Sequence, residues 1–115
     1  MRTTFTARDM TIHRIVEQER GFTPLLEFLP TLTPELLDEN IAWLAPGGYD
    51  VATGNIVLCF QSYIIQTPHH NVLVDACIGN DKSFEQRQAW DKKRDDTWMR
   101  ALAAVGLTVE DIDYV

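Results

Sequence analysis

Apolar and β-branched residues concentrate in residues 55–81, and the rest of the chain is patterned around that stretch. Residues 56–66 and 72–76 are rich in Val, Ile, Leu, Phe and Tyr and predict two strands. Between them, Thr67-Pro68-His69-His70-Asn71 supplies turn chemistry, because Pro68 fixes φ and Asn71 tolerates left-handed geometry. A hairpin folded symmetrically about His69 sets Ile65 opposite Leu73, Tyr63 opposite Asp75 and Gln61 opposite Cys77. The even positions (Ile56, Leu58, Phe60, Ile64, Val72, Val74) are apolar almost throughout, and the odd ones (Val57, Cys59, Tyr63, Ile65, Leu73) nearly so. Strands apolar on both faces are expected to be covered on both sides. Asp75 breaks the pattern. A carboxylate at the end of such a strand is costly to bury unless hydrogen bonds or a cation meet it. It either caps the 76–81 loop or braces a polar site at the carboxyl end of the strand.

Upstream, residues 10–18 alternate imperfectly, with Met10, Ile12 and Val16 set against His13 and Glu17, and predict a first strand. His13 and Arg14 are expected to be exposed there. Residues 21–31, punctuated by Pro24 and Pro30, predict a loop whose Phe22, Leu25, Leu26, Phe28 and Leu29 cover the core. Thr33-Pro34-Glu35 is a helix start: an N-cap hydroxyl, a proline at the first helical position and an acidic first turn. Leu37, Ile41 and Leu44 fall on one face of that helix, and Pro46-Gly47-Gly48 stops it. Downstream, Phe84 and Trp90 are isolated aromatics in the polar stretch 79–91. They either pin a solvated loop or belong to a flap over a site at the end of the Asp75 strand. A second helix begins at Asp95 or Asp96, carries Trp98, Leu102 and Val105 as a core stripe, and is closed by Gly106. Thr108 with Asp111 makes a capping box for one further turn. Ile112, Tyr114 and Val115 then look like the opening of another strand, so the sequence reads as truncated.

A length of 115 residues bounds the chain to a single domain with a modest core. Its 45% hydrophobic content argues against disorder. A net charge of −7 argues against nucleic-acid or anionic-membrane partners, which need a basic patch. No apolar run approaches the roughly 20 residues of a membrane span, and the first residues lack a signal peptide's apolar core, so a cytoplasmic protein is expected. Cys59 and Cys77 have no CxxC spacing and are expected as buried thiols rather than a bridge. There is no glycine-rich phosphate loop and no GxSxG elbow. His69 and His70 have no third ligand nearby in sequence, so spacing alone identifies neither a metal site nor a catalytic residue.

Three runs carry a resemblance: Phe60-Gln61-Ser62-Tyr63-Ile64-Ile65-Gln66-Thr67, Asn71-Val72-Leu73-Val74-Asp75, and Cys77-Ile78-Gly79-Asn80-Asp81-Lys82. With the tail from Leu102 to Val115, they look like the amino-terminal part of a metallo-β-lactamase-fold hydrolase, in the branch of N-acyl-homoserine lactonases and methyl parathion hydrolases. The resemblance implies an α+β chain forming the N-terminal half of a four-layer αβ/βα sandwich. That half would hold a central β-hairpin, two main helices and a mixed sheet. It also implies that residues 1–115 are one incomplete domain ending before the family's Thr-His-x-His-x-Asp-His motif, so that none of its metal ligands is present. The complete protein would bind two metal ions, usually zinc, and hydrolyse a lactone, ester or phosphoester through a bridging hydroxide. This chain would be inactive alone. Asp75 matches the family's aspartate after the Leu-Val strand, which supports the metal-site loops without being a ligand. Many relatives continue Asp-Thr-Gly where this chain has Asp75-Ala76-Cys77. Phe84 and Trp90 would border the substrate cleft. The alternative is a non-catalytic binding module that holds a partner on its exposed sheet face, and that same face predicts self-association of the isolated chain.

Overall fold

Runs of β-branched and aromatic residues form five strands in the computed structural model, which describes residues 3–115. They are β1 (Thr4–Ala7), β2 (Met10–Pro24), β3 (Tyr49–Asp50), β4 (Asn55–Gln66) and β5 (Asn71–Val74). The helices are α1 (Leu25–Phe28), α2 (Pro34–Leu44) and α3 (Thr97–Ala104), followed by a 3-10 turn at Val109–Asp111. The chain divides into two compact units, one of Met1–Gln18 with Phe60–Val115 and one of Glu19–Cys59. Among the described residues no helix is long and apolar enough to cross a membrane.

In the first unit, β1 pairs antiparallel with β2, from Thr4 opposite His13 to Ala7 opposite Met10. The tight connection is made by Arg8, whose φ is 57°. The sequence pattern did not reveal β1, which is four residues long and only half apolar. β4 pairs antiparallel with β5, Ile64 opposite Leu73 and Ile65 opposite Val72. That is one residue away from the expected register. The turn is four residues, closed by the Thr67 amide donating to the His70 carbonyl at 2.8 Å. The Thr67 hydroxyl accepts from the His69 and His70 amides at 3.2 and 2.9 Å, so the loop is centred between Pro68 and His69 rather than on His69. The shift turns Ile64 and Leu73 to the same face, where they join Ile15, Leu102 and Leu107 in the core. Each such side chain contributes about 1.5–3 kcal/mol on full burial. Trp98, Val105 and Ile112 pack around them, so the α3 stripe is core as expected.

α3 ends where its sequence directs. Gly106, at φ 80°, donates to the Ala103 carbonyl, and Leu107 donates back to Leu102, the paired bonds of a Schellman cap. Thr108 and Asp111 form the capping box. Beyond it Tyr114 makes a parallel bridge to Val72, the one point at which the segment after Ile112 behaves as a strand.

β2 departs from its expected pattern. Its fully buried positions are His13, Ile15 and Glu17, the odd face, whereas the alternation set His13 and Glu17 on the polar side. Both polar groups are buried because they have partners: His13 Nε2 donates to Gln66 Oε1 at 2.7 Å, and its Nδ1 lies 2.8 Å from the Thr4 hydroxyl. In β4 only Ser62 and Ile64 are fully buried; its other residues are half-buried.

In the second unit the expected 21–31 loop is instead the end of β2 followed by the single turn α1. Gly21 allows the strand to continue, since a Cβ there would meet the Asn55 Cβ at 3.2 Å. Pro24 ends the strand, and the Leu25 amide, freed there, donates to the Gly54 carbonyl. α2 begins as expected, with the Thr33 hydroxyl accepting from the Leu36 amide and Pro34 at its first position; Leu37 is its buried residue. β3 and β4 are joined by a turn in which Asp50 accepts from the Ala52 amide and the Thr53 hydroxyl.

Candidate functional site

The loop after β5 is built from alternating backbone hands. Asp75 (φ 65°), Cys77 (60°), Gly79 (74°) and Asp81 (57°) are left-handed, while Ala76, Ile78 and Asn80 between them are not. Asp75 is exposed, and its Oδ1 accepts the Cys77 amide at 2.7 Å. Its side chain therefore caps the loop locally, and Asp75 itself lies at the mouth of the loop rather than inside it.

What holds the loop from within is Glu17, which the alternation of β2 places on a polar strand face. Its Oε2 accepts from the Ile78 amide at 2.7 Å and its Oε1 from the Gly79 amide at 3.0 Å. The Lys93 ammonium lies 2.9 Å from Oε1, and the exposures are 1% for the Glu17 side chain and 6% for that of Lys93. Lys93 also donates to Asn80 Oδ1 at 2.9 Å and pairs with Asp95 at 3.2 Å, so its three protons are all placed. Burial pushes the Lys93 pKa down, but its hydrogen bonds to Glu17 and Asp95 and their charges outweigh it, leaving the group above its usual value. Asp95 is held below the usual carboxylate range, first by the Thr97 amide and, against some desolvation, by Lys93. Glu17, Gly79, Asn80, Lys93 and Asp95, with Ala76 and the apolar Trp98 and Met99, line a cleft of about 250 Å³.

One side of this arrangement is a sulfur–hydroxyl–indole chain. The indole N–H of Trp98 donates to the fully buried Ser62 hydroxyl at 3.0 Å, which lies 3.2 Å from Cys77 Sγ. Burial pushes the Cys77 thiol up; the Ser62 contact opposes this, and the nearby charges of Glu17 and Asp75 add to it. Cys59 and Cys77 are both half-buried thiols.

Phe84 and Trp90 do come together. Their rings meet edge to face with centroids 5.6 Å apart, Trp90 packs the same way on Phe60 at 5.0 Å, and its indole N–H reaches Gln18 Oε1. The Arg87 guanidinium sits 5.7 Å above the Trp90 ring. The two aromatics thus anchor the 84–90 segment by packing, and they are not among the residues lining the Glu17–Lys93 cleft. His69 and His70 sit exposed on the hairpin turn, where His70 lies 3.9 Å from Asp113 and packs edge to face on Tyr114.

Among the described residues no three His, Cys, Asp or Glu side chains converge as a group able to hold a metal ion. The Glu17 and Asp95 carboxylates, which share Lys93, are also met by backbone amides. These residues do not fit a metal.

The sequence pattern does not single out Glu17, because a lone glutamate in an alternating strand has the same local pattern whether it faces water or a lysine distant in the chain.

No family model matches the chain, and no curated protein matches it. Among solved structures it is similar to a probable metal-dependent hydrolase from Staphylococcus aureus, at 26% identity and a TM-score of 0.61. The match covers 93% of this chain but 36% of the hydrolase, so the chain spans about a third of that protein's length. Over nearly all its residues, then, this chain is similar to one part of a probable metal-dependent hydrolase.

Proposed function

We propose that residues 1–115 are the amino-terminal scaffold of a metal-dependent hydrolase of the metallo-β-lactamase fold, with the metal ligands supplied by residues outside this stretch. One observation carries the proposal: the chain matches a probable metal-dependent hydrolase across 93% of its own length while spanning 36% of it. The resemblance of residues 60–82 to the lactonase and methyl parathion hydrolase branch supports lactone, ester or phosphoester substrates and a pair of zinc ions in the complete enzyme.

On this proposal the residues described here shape and do not react. Asp75 sets the first turn of the loop at the end of β5, as its bond to the Cys77 amide supports. Glu17 and Lys93 hold the rest of that loop and the floor of the cleft. The aromatic packing of Phe84 and Trp90 stiffens a segment that would border bound substrate.

Elemental analysis and sizing of the purified 115-residue chain test the proposal together. The expected result is no stoichiometric metal and no hydrolysis of lactone or phosphotriester probes. Self-association is also expected, driven by exposed Val74, Tyr114 and Val115. About two zinc ions per chain, the complement of a dinuclear hydrolase, would show that the ligands lie within these residues and overturn it.

A further inference from the structure

Successive residues of alternating hand turn their amide N–H groups towards one concavity, and such backbone nests bind anions. The 75–81 loop alternates in hand, with left-handed residues at Asp75, Cys77, Gly79 and Asp81, and the amides of Ile78 and Gly79 converge on one anion, while the Cys77 amide goes to Asp75 Oδ1 and the Asp81 amide to the Lys93 carbonyl. Three of those four are not glycine, and non-glycine residues persist in that conformation only where the surroundings over-determine it. Here the concavity is filled. Each oxygen of the Glu17 carboxylate takes one amide, Ile78 at 2.7 Å and Gly79 at 3.0 Å, which is how a planar two-oxygen anion is gripped. Lys93, 2.9 Å away, supplies the countercharge, and the side chains of the pair expose only 1% and 6% of their surface.

We propose that the 75–81 loop is an anion receptor whose resident anion is the Glu17 carboxylate, and that without that side chain it takes up a free carboxylate instead. Glu17 is then the positioning residue of this loop. It acts from β2, through the Ile78 and Gly79 amides, on the segment that carries Asp75 and on the Gly79–Asn80 rim of the cleft. A neutral group serves poorly in this place. A carboxamide offers one oxygen where two amides and an ammonium each need an acceptor, and its NH2 would face donors. The receptor involves no metal and operates whether or not the chain serves a hydrolase.

The substitution Glu17→Gly leaves a space of the size of propionate beside the two amides and Lys93. In a labelled sample the Ile78 and Gly79 amide resonances are expected to move away from their wild-type positions. Propionate should return them saturably, while propionamide, its neutral isostere, should bind at least about ten-fold more weakly, since charge-assisted bonds are the stronger ones. Equal effects of propionate and propionamide, or none from either, overturn the proposal. Should Glu17→Gly fail to fold, native-state hydrogen exchange of the unaltered protein decides. Ile78 and Gly79 amides exchanging as slowly as those of the β4–β5 pairs support the receptor. Exchange at the rate of an open loop refutes it.

Discussion

Glu17 and Lys93 form an ion pair at 2.9 Å in which neither side chain has more than 6% of its surface exposed. One lies in a strand near the start of the chain and the other in an irregular segment before α3, so the pair ties the 76–81 loop to both. Buried pairs of this kind are weak evidence for stability as such, but removing one partner strands the other's charge.

Lys93→Met is therefore expected to destabilise the chain by about 3–5 kcal/mol, measured by urea unfolding at neutral pH. The pair also sets an alkaline limit. Because the folded-state pKa of Lys93 is raised above its usual 10.5, its contribution is complete below that value and disappears as pH climbs through the higher folded value. Wild-type stability should fall towards that of Lys93→Met on the alkaline side. Two parallel curves across that range would contradict the assignment.

Asp95 acts in the opposite direction. Its folded pKa lies below the usual 3.8, so its contribution is present above that value and is lost as pH falls through the lower folded one. Asp95→Asn should be the less stable protein at neutral pH, and the gap should close on acidification. Acid titrations of both proteins followed by circular dichroism measure it.

Ser62 is completely buried and receives the Trp98 indole proton. Ser62→Ala leaves that donor without its acceptor and should cost about 1–3 kcal/mol. In the unaltered protein the raised Cys77 pKa keeps the sulfur as thiol near neutrality, so iodoacetamide should modify it more slowly than an ordinary free thiol at pH 8. Mass spectrometry of timed samples reads both the site and the rate.

Leu102 is 1% exposed at the centre of the core, whereas Leu36 on α2 is 45% exposed. Leu102→Ala should cost about 2–5 kcal/mol through lost transfer energy and the cavity left behind. Leu36→Ala should change stability by no more than about 0.5 kcal/mol. Similar losses in the two variants would mean that the core is not where the burial places it.

The local elements were legible because their causes are local. Thr33 caps α2 through its own side chain, Gly106 ends α3 through its own φ, and the Thr108–Asp111 box closes within one turn. The β4–β5 hairpin was legible as a hairpin, yet its register depended on how the Thr67 hydroxyl gathers the amides of His69 and His70, a choice between turns of nearly equal composition. The sequence by itself thus determined that β4 and β5 form a hairpin, where α2 and α3 form and that Asp75 begins a loop, but not β1, β3 or α1. Only the tertiary structure decided which face of β2 turns inward. His13 and Glu17 are polar, and local patterning assigns polar residues to water. They are buried because Gln66, Ile78, Gly79 and Lys93, far off in sequence, meet their hydrogen-bonding and charge requirements in the folded chain. The free energy of burying a carboxylate is set by those partners, and partners distant along the chain leave no mark in a local pattern.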